Sequence, residues 1–168
     1  DYEIDVNDLA DIRCEVPSDI VPLVCEPIEA KIAPRTAYEG KFSLPFTVAA
    51  MLVDGKVDIS TFSEQKIKDR KILELAKVVR YTEDPNTDYP KHIPGRVSLK
   101  MKSGKTHVFK VETNPGGPEL PMTKEEHIAK FKSNASIVLG EETIREIIDE
   151  LEHLERVRNV RELMCLSR

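Results

Sequence analysis

A strict two-residue alternation in the second half of the chain limits the folds that it can adopt. Residues 96–102 alternate polar and apolar side chains, and residues 106–112 resume the alternation after the dipeptide Ser103-Gly104. Such a period places the apolar side chains on one face of a sheet, and a short glycine-containing turn joins two neighbouring strands. We therefore predict a β-hairpin over residues 96–112.

Two other segments have the composition of strands. Residues 11–16 alternate before Pro17, and residues 77–83 are rich in β-branched and aromatic side chains before a turn at Asp84-Pro85-Asn86. Between these segments, residues 17–35 contain four prolines, whose spacing excludes a long helix and favours an extended, loop-like path.

The centre of the chain has helical patterns. Residues 44–53 are predicted to form a mostly buried helix with Ser43 as N-cap, Pro45 in the first turn and Asp54-Gly55 at the end. Residues 62–76 indicate one or two short amphipathic helices.

The last third of the chain changes to a helical period after residues 114–121. Thr123 and Glu126 form a capping box, a second helix begins near Gly140, and residues 157–163 indicate a further turn or a short third helix. The fold class is therefore α+β, with a small antiparallel sheet and its hairpin packed by helices and followed by C-terminal helices.

Two domains are predicted from this order of elements. Residues 1–121 form an α+β domain, and residues 122–168 form C-terminal helices that pack on it. The chain of 168 residues begins without methionine in what has the pattern of folded sequence, so we expect it to be a piece of a longer protein.

Composition excludes several classes of function. Charged residues make up 33% of the chain and both signs are interspersed, with a net charge of -5, which is typical of an acidic globular protein and predicts no nucleic-acid partner. The three cysteines form no CxxC pair, so we expect reduced thiols. No apolar run reaches the roughly 20 residues of a membrane span, and the first residues lack the basic and apolar regions typical of a signal peptide, so we expect a cytoplasmic protein with no membrane partner.

The strongest candidate site lies at the start of the predicted central helix. Lys41 lies two residues before the N-cap Ser43. Since the ammonium group, the serine side chain and the free amides of the first turn carry positive potential at one point, the pattern predicts an anion site. The alternative is that Ser43 is an ordinary cap and Lys41 only solvates the helix start.

Weaker candidates lie in loops. Gly116 and Gly117 allow close approach of the backbone to a ligand, although they match no phosphate-binding loop and could simply connect the hairpin to a helix. His92 lies in the loop 89–95, where sites are common. The spacing of the four histidines predicts no metal site, and no GxSxG motif is present.

Three stretches together resemble the MmgE/PrpD family. They are residues 34–55, residues 69–85, and residues 116–123 ahead of Lys130-Phe131. This family contains 2-methylcitrate dehydratase, cis-aconitate decarboxylase and iminodisuccinate epimerase. The likeness covers nearly all of the chain and keeps the motifs in family order, but it does not distinguish between the members.

The resemblance implies that this chain is the C-terminal lid of a longer enzyme without a cofactor. Family members are more than twice as long and carry an N-terminal helical domain with most of the acid-base residues, so the catalytic residues are expected outside this chain. We expect residues 122–168 to pack on that missing helical domain as well, whether it belongs to the same chain or to a separate subunit. A lysine in a motif resembling Lys-Pro-Tyr-Pro would precede the first residue. An isolated lid would expose its docking face, so we expect an apolar patch around the terminal helices and a homo-oligomer.

Few site residues can be transferred from the family. Lys41, Phe42 and Ser43 match a stretch that is common in bacterial members and lies at the cleft between the domains. Leu44 occupies a position where the decarboxylase has tyrosine, which counts against decarboxylation of cis-aconitate by the same residues. These four residues form the predicted substrate-binding set.

The resemblance favours a hydro-lyase similar to 2-methylcitrate dehydratase, acting on a di- or tricarboxylate. In that enzyme a base removes a proton beside a carboxylate and an acid protonates the leaving hydroxyl, while the lid excludes water and holds a carboxylate. This chain alone is expected to be inactive. The alternatives are a decarboxylase or an epimerase of the same family, or a non-catalytic module that binds carboxylates or a partner subunit.

Overall fold

The computed structural model describes residues 4–167. The chain divides into two compact units, residues 1–120 and residues 121–168. The first unit contains a four-stranded sheet with helices, and the second is helical. The predicted α+β class is confirmed.

The sheet has the strand order β2-β1-β3-β4. Its strands are β1 (Leu9–Pro17), β2 (Val79–Asp84), β3 (Gly95–Met101) and β4 (Thr106–Val111). Strands β3 and β4 form the predicted hairpin, in which Val97 lies opposite Phe109 and Leu99 opposite His107. Gly104 has φ +89° in the connecting turn, a conformation that favours glycine.

The sheet is mixed, and the prediction of an antiparallel sheet was wrong for one strand pair. Strand β1 pairs with β3 in antiparallel orientation, whereas it pairs with β2 in parallel, with Ile12 opposite Val79. Parallel pairing requires a long crossover connection, and residues 18–78 supply one that contains helices. The local composition of 77–83 predicted a strand but carried no information about its direction.

The crossover contains the helices of the first unit. They are α1 (Val21–Val24), α2 (Ile28–Ile32), α3 (Ala37–Lys41), α4 (Leu44–Asp54) and α5 (Arg70–Ala76). The predicted extended path for residues 17–35 was therefore wrong. Pro22 lies in the first turn of α1 and Pro27 is the N-cap of α2, positions where a missing amide hydrogen costs little.

Helix α4 lies between two hydrophobic clusters. Leu44, Val48 and Leu52 pack against the buried sheet residues, whereas Phe46, Ala49 and Ala50 are fully buried in a second cluster with α5. Because α4 is covered on both sides, its first turn is held firmly against the sheet. This packing positions residues 41–44.

The second unit contains helices α6 (Lys124–Ala135), α7 (Glu141–Glu152) and α8 (Val160–Cys165). The predicted capping box is confirmed, since Thr123 accepts a hydrogen bond from the Glu126 amide and the Glu126 carboxylate accepts one from the Thr123 amide. Ile144 and Ile147 are buried. Large apolar side chains of this unit are also exposed, namely Ile137, Val138, Leu151, Leu154, Val160 and Met164.

Replacing Gly55 with alanine is expected to destabilise the first unit by about 1 kcal/mol. Gly55 ends α4 at φ +72°, and an added Cβ would meet no atom within 4 Å, so the loss would come from the backbone conformation alone. Chemical denaturation followed by circular dichroism measures it. Gly95→Ala is the matched control, because Gly95 also has open space but no positive φ. Equal losses in the two variants would contradict this interpretation.

Candidate carboxylate-binding site

Three of the four predicted binding residues line one cavity. Lys41, Ser43 and Leu44 line a cavity of about 290 Å³ whose lining also includes residues of β1, β3 and the segment 93–95. Phe42 lines a different cavity, where its ring lies 5.2 Å from the ring of Tyr38. The structure thus separates Phe42 from the other three.

Ser43 is engaged within the protein. The residue is only 1% exposed, and its Oγ accepts a hydrogen bond from the Phe46 amide at 3.1 Å while donating one to the Lys31 carbonyl oxygen at 2.5 Å. A serine hydroxyl has a single hydrogen to donate. Since that hydrogen is used, this geometry favours the capping interpretation of Ser43 over a ligand-binding one.

The first turn of α4 offers fewer free amides than the sequence indicated. Pro45 has no amide hydrogen, and the Phe46 amide already donates to Ser43. The Leu44 amide is the remaining donor of the first turn, because it has a hydrogen and does not donate it to Ser43. Positive potential at this end of the helix therefore depends mainly on nearby side chains.

Lys41 is the side chain that supplies this potential. It is exposed at the cavity, and within residues 4–167 no carboxylate lies at ion-pair distance from its ammonium group. The other cation of the cavity, Arg96, is paired with Glu15 at 3.2 Å. An uncompensated ammonium group beside a concave surface favours binding of an anion.

Lys31 is a residue that the sequence did not single out. Its ammonium group donates to the carbonyl oxygens of Leu23 and Phe42, at 2.5 Å and 2.7 Å. The Lys31 carbonyl oxygen also accepts a hydrogen bond from the Ser43 hydroxyl. Lys31 therefore holds residues 42–43 through both its side chain and its backbone. No local pattern could have indicated this role, since the partners are 8 to 12 residues away.

Apart from its charged side chains, the lining of the cavity is largely apolar. It includes Leu44, Val24, Val97 and Cys14. Burial raises the pKa of the Cys14 thiol to about 12, and burial likewise raises the pKa of Cys25 to about 11. Both thiols are therefore protonated near neutral pH, and Cys14, which lines the cavity, contributes apolar surface rather than a nucleophile.

His92 lies beside a second cavity of about 420 Å³, which shares Glu15, Arg96 and residues 94–95 with the first. The imidazole side chain is 14% exposed and lies between two carboxylates. Its Nδ1 is 2.5 Å from the Asp88 carboxylate, and its Nε2 is 2.8 Å from the Glu119 carboxylate. Hydrogen bonding to Asp88, reinforced by Glu119, raises the pKa of His92 against the opposing effect of desolvation.

Gly116 and Gly117 form a turn and line neither of these cavities. Gly116 has φ +91° and its amide donates to the Leu120 carbonyl oxygen at 2.7 Å, while the Leu120 amide donates to the Gly117 carbonyl oxygen at 3.2 Å. This geometry supports the interpretation that Gly116 and Gly117 connect the hairpin to the following helix. The turn also presents Glu119 to His92.

The described part of the chain contains neither a cluster of metal ligands nor a helix that could span a membrane. Among residues 4–167, no group of three or more histidine, cysteine, aspartate or glutamate side chains is arranged to hold a metal ion. No helix in the same range has the length and apolar character needed to cross a membrane.

The mixed sheet, its crossover helices and the cavity beside α4 define an α+β domain with a concave surface beside the start of α4. The sequence matches the MmgE/PrpD C-terminal domain over residues 1–155, and the chain belongs to this family.

Curated relatives of the chain are decarboxylases. It is 28% identical to the cis-aconitate decarboxylase of Mus musculus over 125 residues, which cover 73% of this chain and 25% of that protein. It is 27% identical to the enzymes of the same name from Homo sapiens and Aspergillus terreus, over 79% of this chain and 28% of each relative. The chain thus spans about a quarter of the length of these relatives.

Proposed function

We propose that this chain is the lid domain of a cofactor-free MmgE/PrpD lyase that acts on a di- or tricarboxylate. The domain supplies Lys41 as a carboxylate-binding cation, and the acid-base residues come from the part of the protein outside this chain. The observation that carries the proposal is the ammonium group of Lys41, which has no acidic partner among residues 4–167 and lies on a cavity with an apolar wall.

The dimensions and chemistry of the cavity suit a small carboxylate. Its volume of about 290 Å³ is at the lower end of ligand-binding pockets. One carboxylate of the substrate binds Lys41, while the carbon chain lies against Leu44 and the apolar residues behind it. Binding at the lid orients the substrate toward the remaining part of the enzyme and removes water from the reacting carbon atoms.

The first candidate reaction is dehydration of a substrate similar to 2-methylcitrate. A base takes the proton beside a carboxylate, an acid protonates the hydroxyl on the neighbouring carbon, and a double bond forms as water leaves. The residues of this chain bind and orient the carboxylate and perform neither proton transfer. The chain alone is therefore expected to bind substrate without converting it.

The second candidate is decarboxylation of cis-aconitate, which the names of the relatives from mouse, human and Aspergillus terreus favour. Against it, Leu44 has no hydroxyl where the resemblance places a tyrosine in that enzyme. The two candidate reactions are distinguished with the complete protein, by measuring dehydration of 2-methylcitrate and release of CO2 from cis-aconitate. Release of CO2 without dehydration would reject the first candidate, and binding without either reaction would leave an epimerase of the family or a non-catalytic module.

Replacing Lys41 with glutamine is expected to weaken binding of citrate to the 168-residue chain about fivefold, because an exposed ion pair contributes up to ~1 kcal/mol. Isothermal titration calorimetry with citrate measures the affinity. Lys68→Gln is the matched control, since Lys68 is exposed, changes the net charge equally and does not line the cavity. The proposed site is wrong if both variants bind citrate as the unmodified chain does, or if both lose affinity equally.

A further inference from the structure

We propose that His92 is a positioning residue for the Lys41 cavity, and that only its protonated imidazolium form holds the cavity wall at residues 93–95 in place. The inference rests on the proposed carboxylate site and assigns a pH-dependent regulation to it. Asp88, His92 and Glu119 form what we call the histidine clamp.

The clamp requires a proton on each ring nitrogen. Each nitrogen faces a carboxylate oxygen, at 2.5 Å for Asp88 and 2.8 Å for Glu119. Carboxylates accept hydrogen bonds but cannot donate them when ionised, and a neutral imidazole has only one N–H. Loss of one proton from His92 therefore turns one of the two hydrogen bonds into a contact between lone pairs.

The clamp is directly connected to the cavity. His92 lies next in sequence to residues 93–95, which line the Lys41 cavity and lead into β3. The Ile93 amide donates to the side-chain oxygen of Asn114 at 3.2 Å, while Glu119 is held by the turn at residues 116–120. Two hydrogen bonds thus attach this wall to the segment 114–120: one is made by the Ile93 amide, and the other by the neighbouring His92 imidazole.

The charged groups around His92 favour the imidazolium. Asp88 and Glu119 contact the ring, and Lys91 pairs with the other oxygen of Glu119 at 3.2 Å. The remaining charged side chains that line the adjoining cavity are Glu15, Asp84, Arg96, Lys110 and Glu112. Arg96 pairs with Glu15 and Lys110 with Glu112, so these four largely compensate each other and Asp84 adds negative potential.

The sign of the pH effect follows from the direction of the shift. The pKa of His92 is raised in the folded protein, so the clamp contributes fully below the pKa of the unfolded chain. Its contribution is lost as the pH rises through the pKa of folded His92. We therefore expect the wall at residues 93–95 to be firm in mildly acidic solution and loose in alkaline solution.

The test follows His92 and the Ile93 amide by NMR in the 168-residue chain, from about pH 5 to about pH 9. Ile93 protection, corrected for the intrinsic rate of exchange, is expected to fall through the midpoint of His92. The protection factor of Ile93 is expected to fall about tenfold if the pKa of His92 is higher by one in the folded chain than in the unfolded chain, and by correspondingly more for a larger difference. Citrate affinity is expected to fall through the same midpoint.

Three variants make the test specific. Glu119→Gln keeps the shape of the side chain but removes its charge, and is expected to lower the midpoint of His92. His92→Gln is expected to abolish the pH step in Ile93 protection. His153→Gln is the matched control and is expected to leave the pH step in Ile93 protection unchanged. The His153 ring is hydrogen-bonded to the carbonyl oxygen of Asp149, four residues earlier in its own helical segment.

The outcomes for the clamp and for the proposed function differ. An Ile93 protection that does not follow His92, or an unchanged midpoint in Glu119→Gln, overturns the clamp even if citrate binds. If His92→Gln does not fold, Glu119→Gln and Asp88→Asn still decide the question through the midpoint of His92. If citrate fails to bind at any pH while Ile93 follows His92, the carboxylate site is wrong, and with it the regulatory role, although the clamp itself is present.

Discussion

Replacing Phe46 with alanine is expected to lower the free energy of unfolding of the first unit by about 3–5 kcal/mol. Phe46 is fully buried, and its ring lies 6.4 Å from that of Phe62. A Cβ atom added at Gly40 would lie 3.5 Å from the Phe46 ring, which shows how closely the backbone of α3 approaches it. Truncation leaves a cavity that the surrounding helices can fill only partly.

Urea denaturation followed by far-ultraviolet circular dichroism measures this loss. Phe42→Ala is the matched control, because it removes the same side chain from a half-buried position one residue before the cap of α4. We expect the loss at Phe42 to be less than half of that at Phe46. A loss at Phe46 no greater than at Phe42 would mean that α4 is not held from both sides as described.

Replacing Ser43 with alanine is expected to destabilise the first unit by about 2–4 kcal/mol. The change removes the N-cap of α4 and leaves the Lys31 carbonyl oxygen without the hydroxyl that donates to it. Both groups lie where solvent has little access, so water cannot fully replace the lost hydrogen bonds. Affinity of the folded variant for citrate is expected to change less than in Lys41→Gln.

Thr36→Ala is the control for this variant. Thr36 caps α3 through the Glu39 amide at 3.1 Å, but it is exposed, so its loss is expected to cost only about 1 kcal/mol. Denaturation measures stability in both variants, and calorimetry with citrate measures binding. A loss of citrate affinity at Ser43 as large as at Lys41 would restore Ser43 as a ligand-binding residue.

Elements defined by neighbouring residues were predictable. The hairpin over residues 96–112, the N-caps Ser43 and Thr123, and the end of α4 at Gly55 all appear where the sequence placed them. Each depends on groups within a few residues of one another, so composition and spacing contain the relevant information.

Elements that depend on distant partners were not predictable. Strand β2 joins β1 in parallel after a crossover of more than 60 residues, as the pairing of Ile12 with Val79 shows. In residues 17–35, prolines that exclude a long helix instead begin short ones. The position of a proline within a turn decides between the two outcomes, and the proline spacing alone does not specify that position.

The candidate site shows the same division. The sequence by itself determined that Lys41 stands beside the capped start of α4, because both are neighbours along the chain. Only the tertiary structure decided that the Ser43 hydroxyl is used by Lys31 and that His92 meets Glu119, residues 12 and 27 positions apart. Hydrogen bonds form only where folding brings a donor to an acceptor, and sequence spacing does not specify that meeting when the partners lie on different elements.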